Sequence, residues 1–200
     1  MDLSKAFDCL PHALLIPKLR AYGVSFDICQ LLASYLSNRR QRVKIANTRS
    51  SWRETSKGVP QGSGLGPLLF NVFINDIFYF VKNSKLLNYA DDNTLYTQSH
   101  NHEKVIHDLL LDANNLTNWF TNNFMEVNPS KFKIMFLKPR SKKDPFPNEV
   151  NLSEVNLPIS LEVKLLRVCI DANLSFDNHI KNICRKAARQ LNSLKCLHKA

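Results

Sequence analysis

Residues 58–67, Gly-Val-Pro-Gln-Gly-Ser-Gly-Leu-Gly-Pro, form a glycine-rich stretch in a chain that is otherwise poor in glycine. The 200 residues contain five glycines, and four of them lie in this stretch. Glycine permits a positive φ and lets a ligand approach the backbone. An apolar segment, about residues 65–81, follows and predicts a helix that Ser63 caps. The N–H groups at such a helix start favour phosphate or a sugar hydroxyl, whereas an ordinary tight turn does not explain Pro60-Gln61.

A pair of acids follows in the stretch Tyr89-Ala-Asp-Asp92. Apolar residues on both sides predict a hairpin over 85–98 with its turn at Asp91-Asp92. Adjacent carboxylates repel each other unless a cation lies with them, although a solvated turn is the alternative for an isolated pair. A third acid, Asp2, opens the stretch Asp2-Leu-Ser-Lys-Ala-Phe-Asp8, where residues 2–7 are predicted as the end of a strand.

The other elements predict an α+β protein in which an antiparallel sheet is backed by helices. A proline-containing segment, residues 139–158, is interpreted as a linker. Helices are predicted at 12–22, at 26–37 with Ile28, Leu31, Leu32, Tyr35 and Leu36 on one side, at 103–125 and at 176–198; strands are predicted in a hairpin at 41–57, at 131–137 and in a pair at 159–171.

Charge is unevenly distributed along the chain. The net charge is +10, and residues 128–200 carry 14 Lys and Arg against 6 Asp and Glu, a balance of +8. This asymmetry favours a polyanion such as nucleic acid as the partner, with a solvated basic face as the alternative. The segment Arg39–Lys57 carries seven basic residues against Glu54 alone, and either tracks a phosphate backbone or presents solvated charges.

Composition also argues against several classes of protein. A hydrophobic fraction of 44% is typical of a globular protein. The five cysteines include no Cys-x-x-Cys pair, which favours reduced thiols in an intracellular protein over a disulfide framework. No apolar run approaches the ~20 residues of a membrane span.

In order and spacing, these motifs resemble reverse transcriptases of non-LTR (LINE, jockey-like) retrotransposons. The resemblance extends through Asn128-Pro-Ser-Lys131 and Val163-Lys-Leu-Leu-Arg-Val168, and so covers nearly the whole chain. It implies a polymerase palm at residues 1–138, the linker-like segment at 139–158, and a primer-grip hairpin with the start of a mainly helical thumb at 159–200.

The implied activity is RNA-directed DNA polymerase, with an RNA template, a DNA primer and dNTPs as partners. The resemblance implies two Mg²⁺ ions, with Mn²⁺ as an alternative, held by Asp2, Asp91, Asp92 and the Leu3 carbonyl. Lys131 stands where the family has a lysine that would protonate pyrophosphate; a surface lysine at a strand start is the alternative.

The resemblance also implies contacts with the incoming dNTP. Phe7 would pack beneath the sugar and exclude a 2′-hydroxyl, although a core aromatic is the commoner role of a Phe. Gln61 and Gly62 would contact the nucleotide. The chain departs from the family pattern at Gly64, Phe132 and Arg167; at Arg167 the tight turn of the primer grip normally has glycine.

The position of Asp2 directly after Met1 leads us to expect a fragment of a longer polypeptide, or an incorrectly assigned start. For the parent element the expected location is nucleus and cytoplasm. The competing hypothesis is a catalytically inactive, truncated remnant that at most binds nucleic acid.

Overall fold

The computed structural model describes residues 6–60, 62–128, 131–137, 147–152 and 155–197, with side chains described to residue 194. The chain divides into two compact units, Met1–Phe132 and Lys133–Ala200. Both mix helices with antiparallel strands, which confirms the α+β class. No described helix is both long and apolar enough to span a membrane.

The first unit consists of five helices, a 3₁₀ helix and two antiparallel ribbons within its described residues. They are α1 (Ala6–Cys9), α2 (His12–Ala21), α3 (Phe26–Leu36), β1 (Arg39–Gln41), β2 (Lys44–Ile45), β3 (Thr48–Arg49), β4 (Arg53–Thr55), α4 (Leu65–Ile74), the 3₁₀ helix (Asn75–Phe80), β5 (Lys85–Tyr89), β6 (Asp92–Tyr96) and α5 (His102–Asn122).

The core of this unit is built around α4. Most of the circumference of this helix is apolar, which favours packing against several neighbouring elements at once. Its buried Phe70 and Phe73 lie in one cluster with Leu15 of α2 and Leu116 of α5. Trp119 of α5 meets Phe73 edge-on, with ring centroids 6.2 Å apart.

Lys18 joins the same three helices through a half-buried charge. Its Nζ lies 2.8 Å from Asp76 Oδ1 and 2.9 Å from the Phe73 carbonyl, and 4.7 Å from the Trp119 ring centroid. Burial lowers the pKa of Lys18, and Asp76 opposes that shift. The ammonium therefore ties α2 to the end of α4 and to α5.

Two predicted elements of this unit differ from the structure. Residues 6 and 7 begin the short helix α1 rather than ending a strand, while residues 1–5 lie outside the described residues. The predicted helix 65–81 is α-helical only to Ile74 and continues as a 3₁₀ helix to Phe80, where the tighter winding brings the Asp76 carboxylate to Lys18.

Helix α3 is confirmed, but its predicted inward side is wrong in part. Cys29 and Leu36 are buried, whereas Ile28 and Leu31 are 51% and 69% exposed. Apolar residues cover most of this helix, so periodicity does not specify which side packs. Cys29 behaves as a small apolar residue there, and its thiol donates to the Val24 carbonyl.

The second unit contains two hairpins and one long helix in its described part. These are β7 (Glu149–Leu152) with β8 (Val155–Pro158), β9 (Glu162–Leu165) with β10 (Val168–Asp171), and α6 (Asp177–Leu197). The predicted strand pair and final helix are confirmed. The apolar stripe of α6 is exposed, including Ile180, Ile183, Leu191 and Leu194.

Within the segment interpreted as a linker, β7 (Glu149–Leu152) and β8 (Val155–Pro158) pair as antiparallel strands. Val150, Leu152 and Leu157 are buried, because the apolar residues alternate on both strands and share one face. Pro158 is tolerated because it ends a strand. Residues 138–146 lie outside the described residues, and the assignment of domain boundaries stays a prediction.

The strand predicted at 131–137 is wrong. Its residues form one isolated bridge, between Ile134 and Ile159, with the Ser160 amide donating to the Ile134 carbonyl at 2.8 Å. Phe132 is nevertheless buried. The alternation of apolar and polar residues over 131–137 therefore indicated which residue is buried, but not a strand.

Candidate active site

Strands β5 and β6 form the acidic hairpin, Lys85–Tyr96, which carries Asp91 and Asp92 at its end. The ladder runs from Lys85 opposite Tyr96 to Tyr89 opposite Asp92. The turn is therefore Ala90-Asp91, one residue before the predicted Asp91-Asp92 turn. Ala90 has a left-handed backbone with φ +53°, and Asp92 is the first residue of β6.

An asparagine pair fixes this turn from within the hairpin. Asn88 and Asn93 stand opposite each other in the ladder, and Asn93 is only 2% exposed. Asn88 Nδ2 donates to Asn93 Oδ1 and to the Ala90 carbonyl, both at 2.9 Å. Asn93 Nδ2 donates to the Asp91 carbonyl at 3.1 Å. Both residues of the turn thus have their backbone carbonyls held by side chains.

The opposite end of the acidic hairpin is held by Asp112 of α5, whose side chain is fully buried. Its carboxylate accepts hydrogen bonds from the amides of residues 82–84 at 2.7–3.1 Å and from the side chains of Asn83 and Ser84. Burial alone would raise the pKa of Asp112, but the bonds from the Ser84 side chain and the three amides together leave it below the usual value of 3.8. A charged group buried in this way anchors the start of β5 to α5.

The carboxylates of Asp91, in the turn, and of Asp92, at the start of β6, have no such partners among the described residues. Asp91 is half-buried and Asp92 is exposed, and within the part of the chain that the structure describes neither side chain has a hydrogen bond or ion pair. Paired carboxylate oxygens are the donors that a hard divalent cation prefers. The described residues contain no group of three or more metal-ligating side chains, and the predicted ligands Asp2 and Leu3 lie outside them.

The glycine-rich stretch is attached to the first helices through Gly58. The Gly58 amide donates to the Leu10 carbonyl at 2.7 Å, and the Val59 amide donates to the Phe7 carbonyl at 2.9 Å. His12 Nε2 donates to the Gly58 carbonyl. Gly58 has φ +82°, and an added Cβ would lie 2.7 Å from the Asp8 carbonyl oxygen. Only glycine fits here, because both the backbone angle and the close approach exclude a side chain.

Phe7 lies where the two segments meet. Its ring stacks on Phe70 of α4, with centroids 4.5 Å apart, and it is half-buried. One face of the ring thus contributes to the core, in agreement with the commoner role of a Phe, while the residue is not fully enclosed. The proposed sugar contact stays a prediction.

The remainder of the glycine-rich stretch leads into α4. The Gly66 amide donates to Ser63 Oγ at 3.0 Å, which confirms that Ser63 caps the helix start. Gly62 is exposed with φ +78°, and Gln61 lies outside the described residues. Gly64 has ordinary helical angles and free space around an added Cβ, so its departure from the family pattern has no steric cause.

Two further residues from the sequence analysis, the proposed proton donor Lys131 and the atypical Arg167, lie outside the acidic hairpin and the glycine-rich stretch. Lys131 is exposed, and its amide donates to the Asn128 carbonyl at 3.1 Å. Arg167 lies in the Leu166-Arg167 turn between β9 and β10, with φ +71° after φ +45° at Leu166. A left-handed residue explains why glycine is usual at this position.

Sequence reasoning missed Asn88, Asn93 and Asp112. The asparagine pair follows from the hairpin register, since a two-residue turn at 90–91 places residues 88 and 93 opposite each other. Placing the turn one residue later hides the pair. For Asp112 the only signal is an acid within the apolar stripe of a long helix.

Comparisons with known proteins give one consistent family. Residues 1–169 match the family described as reverse transcriptase (RNA-dependent DNA polymerase). The chain is 32% identical to the probable RNA-directed DNA polymerase from transposon BS of Drosophila melanogaster, over 98% of this chain and 22% of that protein. It is 26% identical to the RNA-directed DNA polymerase from mobile element jockey of Drosophila melanogaster, over 92% of this chain and 20% of that protein. The chain thus spans about a fifth of the length of these relatives.

Proposed function

This chain belongs to the reverse transcriptase family, of the non-LTR retrotransposon type, and we propose that it catalyses RNA-directed DNA synthesis at the acidic hairpin. The observation that carries the proposal is the position of Asp91 and Asp92. Asp91 lies in, and Asp92 directly after, a turn whose backbone carbonyls are held by Asn88 and Asn93. Among the described residues neither carboxylate forms an ion pair, and two neighbouring carboxylates on a firmly held backbone suit metal-assisted phosphoryl transfer.

The described part of the site fits a divalent metal centre, because Asp91 and Asp92 stand next to each other at the end of the acidic hairpin and their carboxylate oxygens are hard donors. Asp2, Asp91, Asp92 and the Leu3 carbonyl would hold two Mg²⁺ ions, or Mn²⁺ in their place. When bound, the ions would lower the pKa of the primer 3′-hydroxyl and neutralise charge on the leaving pyrophosphate.

The protein groups position the substrates around that centre. Phe7 would support the sugar of the incoming dNTP with the part of its ring that Phe70 does not cover. Gln61 and Gly62 would contact the nucleotide from the glycine-rich stretch, which Gly58 fixes to the carbonyl of Leu10. Lys131 would donate a proton to pyrophosphate.

The wider assignment follows the family and is part of the same proposal. The palm would be residues 1–138, of which the unit Met1–Phe132 is the larger part, and the β9–β10 hairpin with α6 would be the primer grip and the start of a thumb, predicted at 159–200. The partners are an RNA template, a DNA primer and dNTPs, and the parent element acts in nucleus and cytoplasm.

The proposal is tested by Mg²⁺-dependent dNTP incorporation on a poly(rA)–oligo(dT) duplex. We expect incorporation by the chain and its loss, about a thousandfold or more, in Asp91→Asn/Asp92→Asn, because isosteric amides cannot supply the charge. The matched control, Asp27→Asn/Glu126→Gln, neutralises two exposed acids elsewhere and should keep full activity. Absence of incorporation together with salt-sensitive binding of the duplex would favour the inactive, nucleic-acid-binding remnant.

A further inference from the structure

The cationic hairpin, Arg39–Thr55, is a second surface with an unusual charge distribution. Its two ladders, β1 with β4 and β2 with β3, are joined by Ser50, whose amide donates to the Val43 carbonyl and whose Oγ accepts from the Val43 amide, both at 2.9 Å. Every basic side chain from Arg39 to Lys57 is exposed. The single acid, Glu54, pairs with Arg40 at 3.2 Å and leaves the other cations without an acid on this segment.

The register places two of these cations directly against each other. Lys44 stands opposite Arg49 in the β2–β3 ladder, next to the end of the hairpin. Like charges directly opposite one another on two strands destabilise a hairpin. This pairing disfavours the isolated ribbon, and an anion bound between the two side chains would remove the repulsion.

The middle of the ribbon carries an exposed aromatic platform. The Arg42 guanidinium lies 4.4 Å from the centroid of the Trp52 ring, and Trp52 is 56% exposed. Val43 and Ile45, which follow Arg42, are also exposed. An aromatic ring stacked with a guanidinium between cations is the combination that binds the bases and phosphates of single-stranded nucleic acid.

The ribbon is anchored at both ends in the first unit. Leu36, three residues before β1, is buried, and Lys57 bridges to Pro11 directly before Gly58. Since Gly58 is bonded to Leu10, the cationic hairpin emerges from the same junction that fixes the glycine-rich stretch. A strand bound along the ribbon would lead toward that stretch.

We propose that the cationic hairpin binds a single strand of RNA, with phosphates at Lys44 and Arg49 and a base on the Arg42–Trp52 stack. The choice of RNA rests on the proposed function, in which the template strand must approach the glycine-rich stretch. The cationic hairpin would thus be an RNA-binding surface separate from the acidic hairpin.

The test measures the affinity of the chain for fluorescein-labelled rU16 by anisotropy in EDTA, between 50 and 200 mM salt. Arg42→Gln/Lys44→Gln/Arg49→Gln should weaken binding about 10- to 100-fold and reduce the salt slope by about 1.4, since each of the two single-strand phosphate contacts, at Lys44 and Arg49, contributes ~0.7. The control Arg20→Gln/Lys104→Gln/Lys133→Gln removes the same charge from exposed sites outside the cationic hairpin and should change the affinity less than threefold.

A second variant separates binding from folding. Arg49→Glu places opposite charges across the ladder, so we expect an equal or higher thermal midpoint together with weaker rU16 binding. An unchanged affinity in this variant would overturn the proposal, and so would equal losses in the triple variant and its control. Weakened binding of dT16 with intact binding of rU16 would overturn the assignment to RNA.

The outcomes are independent of catalysis, because EDTA removes the divalent ions that the polymerase proposal requires. Hairpin-dependent RNA binding without dNTP incorporation would leave this inference standing and reject the polymerase activity of the chain. Incorporation of dNTPs by the chain, together with an rU16 affinity that the hairpin substitutions do not change, would support the polymerase activity and reject RNA binding at the cationic hairpin.

Discussion

The acidic and cationic hairpins are both two-stranded ribbons of the first unit, but different contacts stabilise them. The acidic hairpin is fixed at its turn by the buried Asn93 and at its start by the buried Asp112. The cationic hairpin has an exposed ion pair and an exposed Arg42–Trp52 stack. Buried polar contacts specify one geometry, which the proposed metal-binding role of Asp91 and Asp92 requires. Exposed charged contacts allow adjustment, which suits a surface for a flexible strand.

The largest expected effect is the loss of the anchor of the acidic hairpin. In the parent chain the Asp112 carboxylate accepts five hydrogen bonds. In Asp112→Asn, one carboxylate oxygen is replaced by an NH₂ group, whose two N–H donors would face the N–H and O–H donors of residues 82–84. We expect a loss of about 3 kcal/mol in the free energy of unfolding, because bonds to a buried charge are strong and an unsatisfied buried group is costly. Urea unfolding measures this change in the free energy of unfolding. As a control, Glu103→Gln at an exposed position of the same helix should change it by close to zero.

The same anchor predicts a pH dependence. The pKa of Asp112 is lowered on folding, so its stabilising contribution is complete above the unfolded value of 3.8 and declines as pH falls through the lower folded value. The difference in unfolding free energy between the parent chain and Asp112→Asn should stay constant from pH 7 to about 5 and shrink only below pH ~4. A difference that narrows already near pH 6 would contradict this account.

A smaller effect is expected at the turn itself. Asn93→Ala removes the bond to Asn88 and the bond to the Asp91 carbonyl, and should lower the unfolding free energy by about 1–2 kcal/mol. Because the Asp91 peptide is then released, dNTP incorporation should fall while rU16 affinity is unchanged.

The β7–β8 hairpin offers the matched control for that variant. Asn151 and Asn156 also face each other across a ladder, with Asn151 Nδ2 donating to Asn156 Oδ1 at 2.8 Å, but this pair is exposed. Asn156→Ala should cost less than about 0.5 kcal/mol, because water replaces the lost bond. Equal losses in both variants would show that burial does not distinguish the two pairs.

The smallest effect is expected in the cationic hairpin. Arg40→Gln removes an ion pair whose side chains are 64% and 79% exposed, and should change the unfolding free energy by less than about 0.5 kcal/mol. Thermal unfolding at low and high salt checks this value. A loss above about 1.5 kcal/mol would mean that this ribbon is as firmly fixed as the acidic hairpin, and would remove the contrast between them.

Local patterns predicted most elements, and they predicted the buried side of α5 correctly but that of α3 only in part. The helices at 12–22, 26–37 and 103–125 and the three hairpins at 41–57, 85–98 and 159–171 are confirmed to within a few residues at their ends. The buried side of α3 was predicted only in part: Leu36, Leu32 and Tyr35 pack in or against the core, but Ile28 and Leu31 do not, because apolar residues cover most of the helix and periodicity does not select one side. The β7–β8 hairpin was missed because prolines near it are also typical of a linker.

For the candidate site, the sequence by itself determined the family and the acids at positions 91 and 92, because chemistry depends on residue type and spacing. The tertiary structure showed why residue 58 is glycine, through its φ of +82° and the close approach of the Asp8 carbonyl. Only the tertiary structure decided how those acids are held. Three features depend on contacts between segments up to 30 residues apart. They are the position of the turn at Ala90-Asp91 rather than Asp91-Asp92, the pairing of Asn88 with Asn93, and the burial of Asp112 against residues 82–84. Such contacts follow from packing, which no local pattern contains.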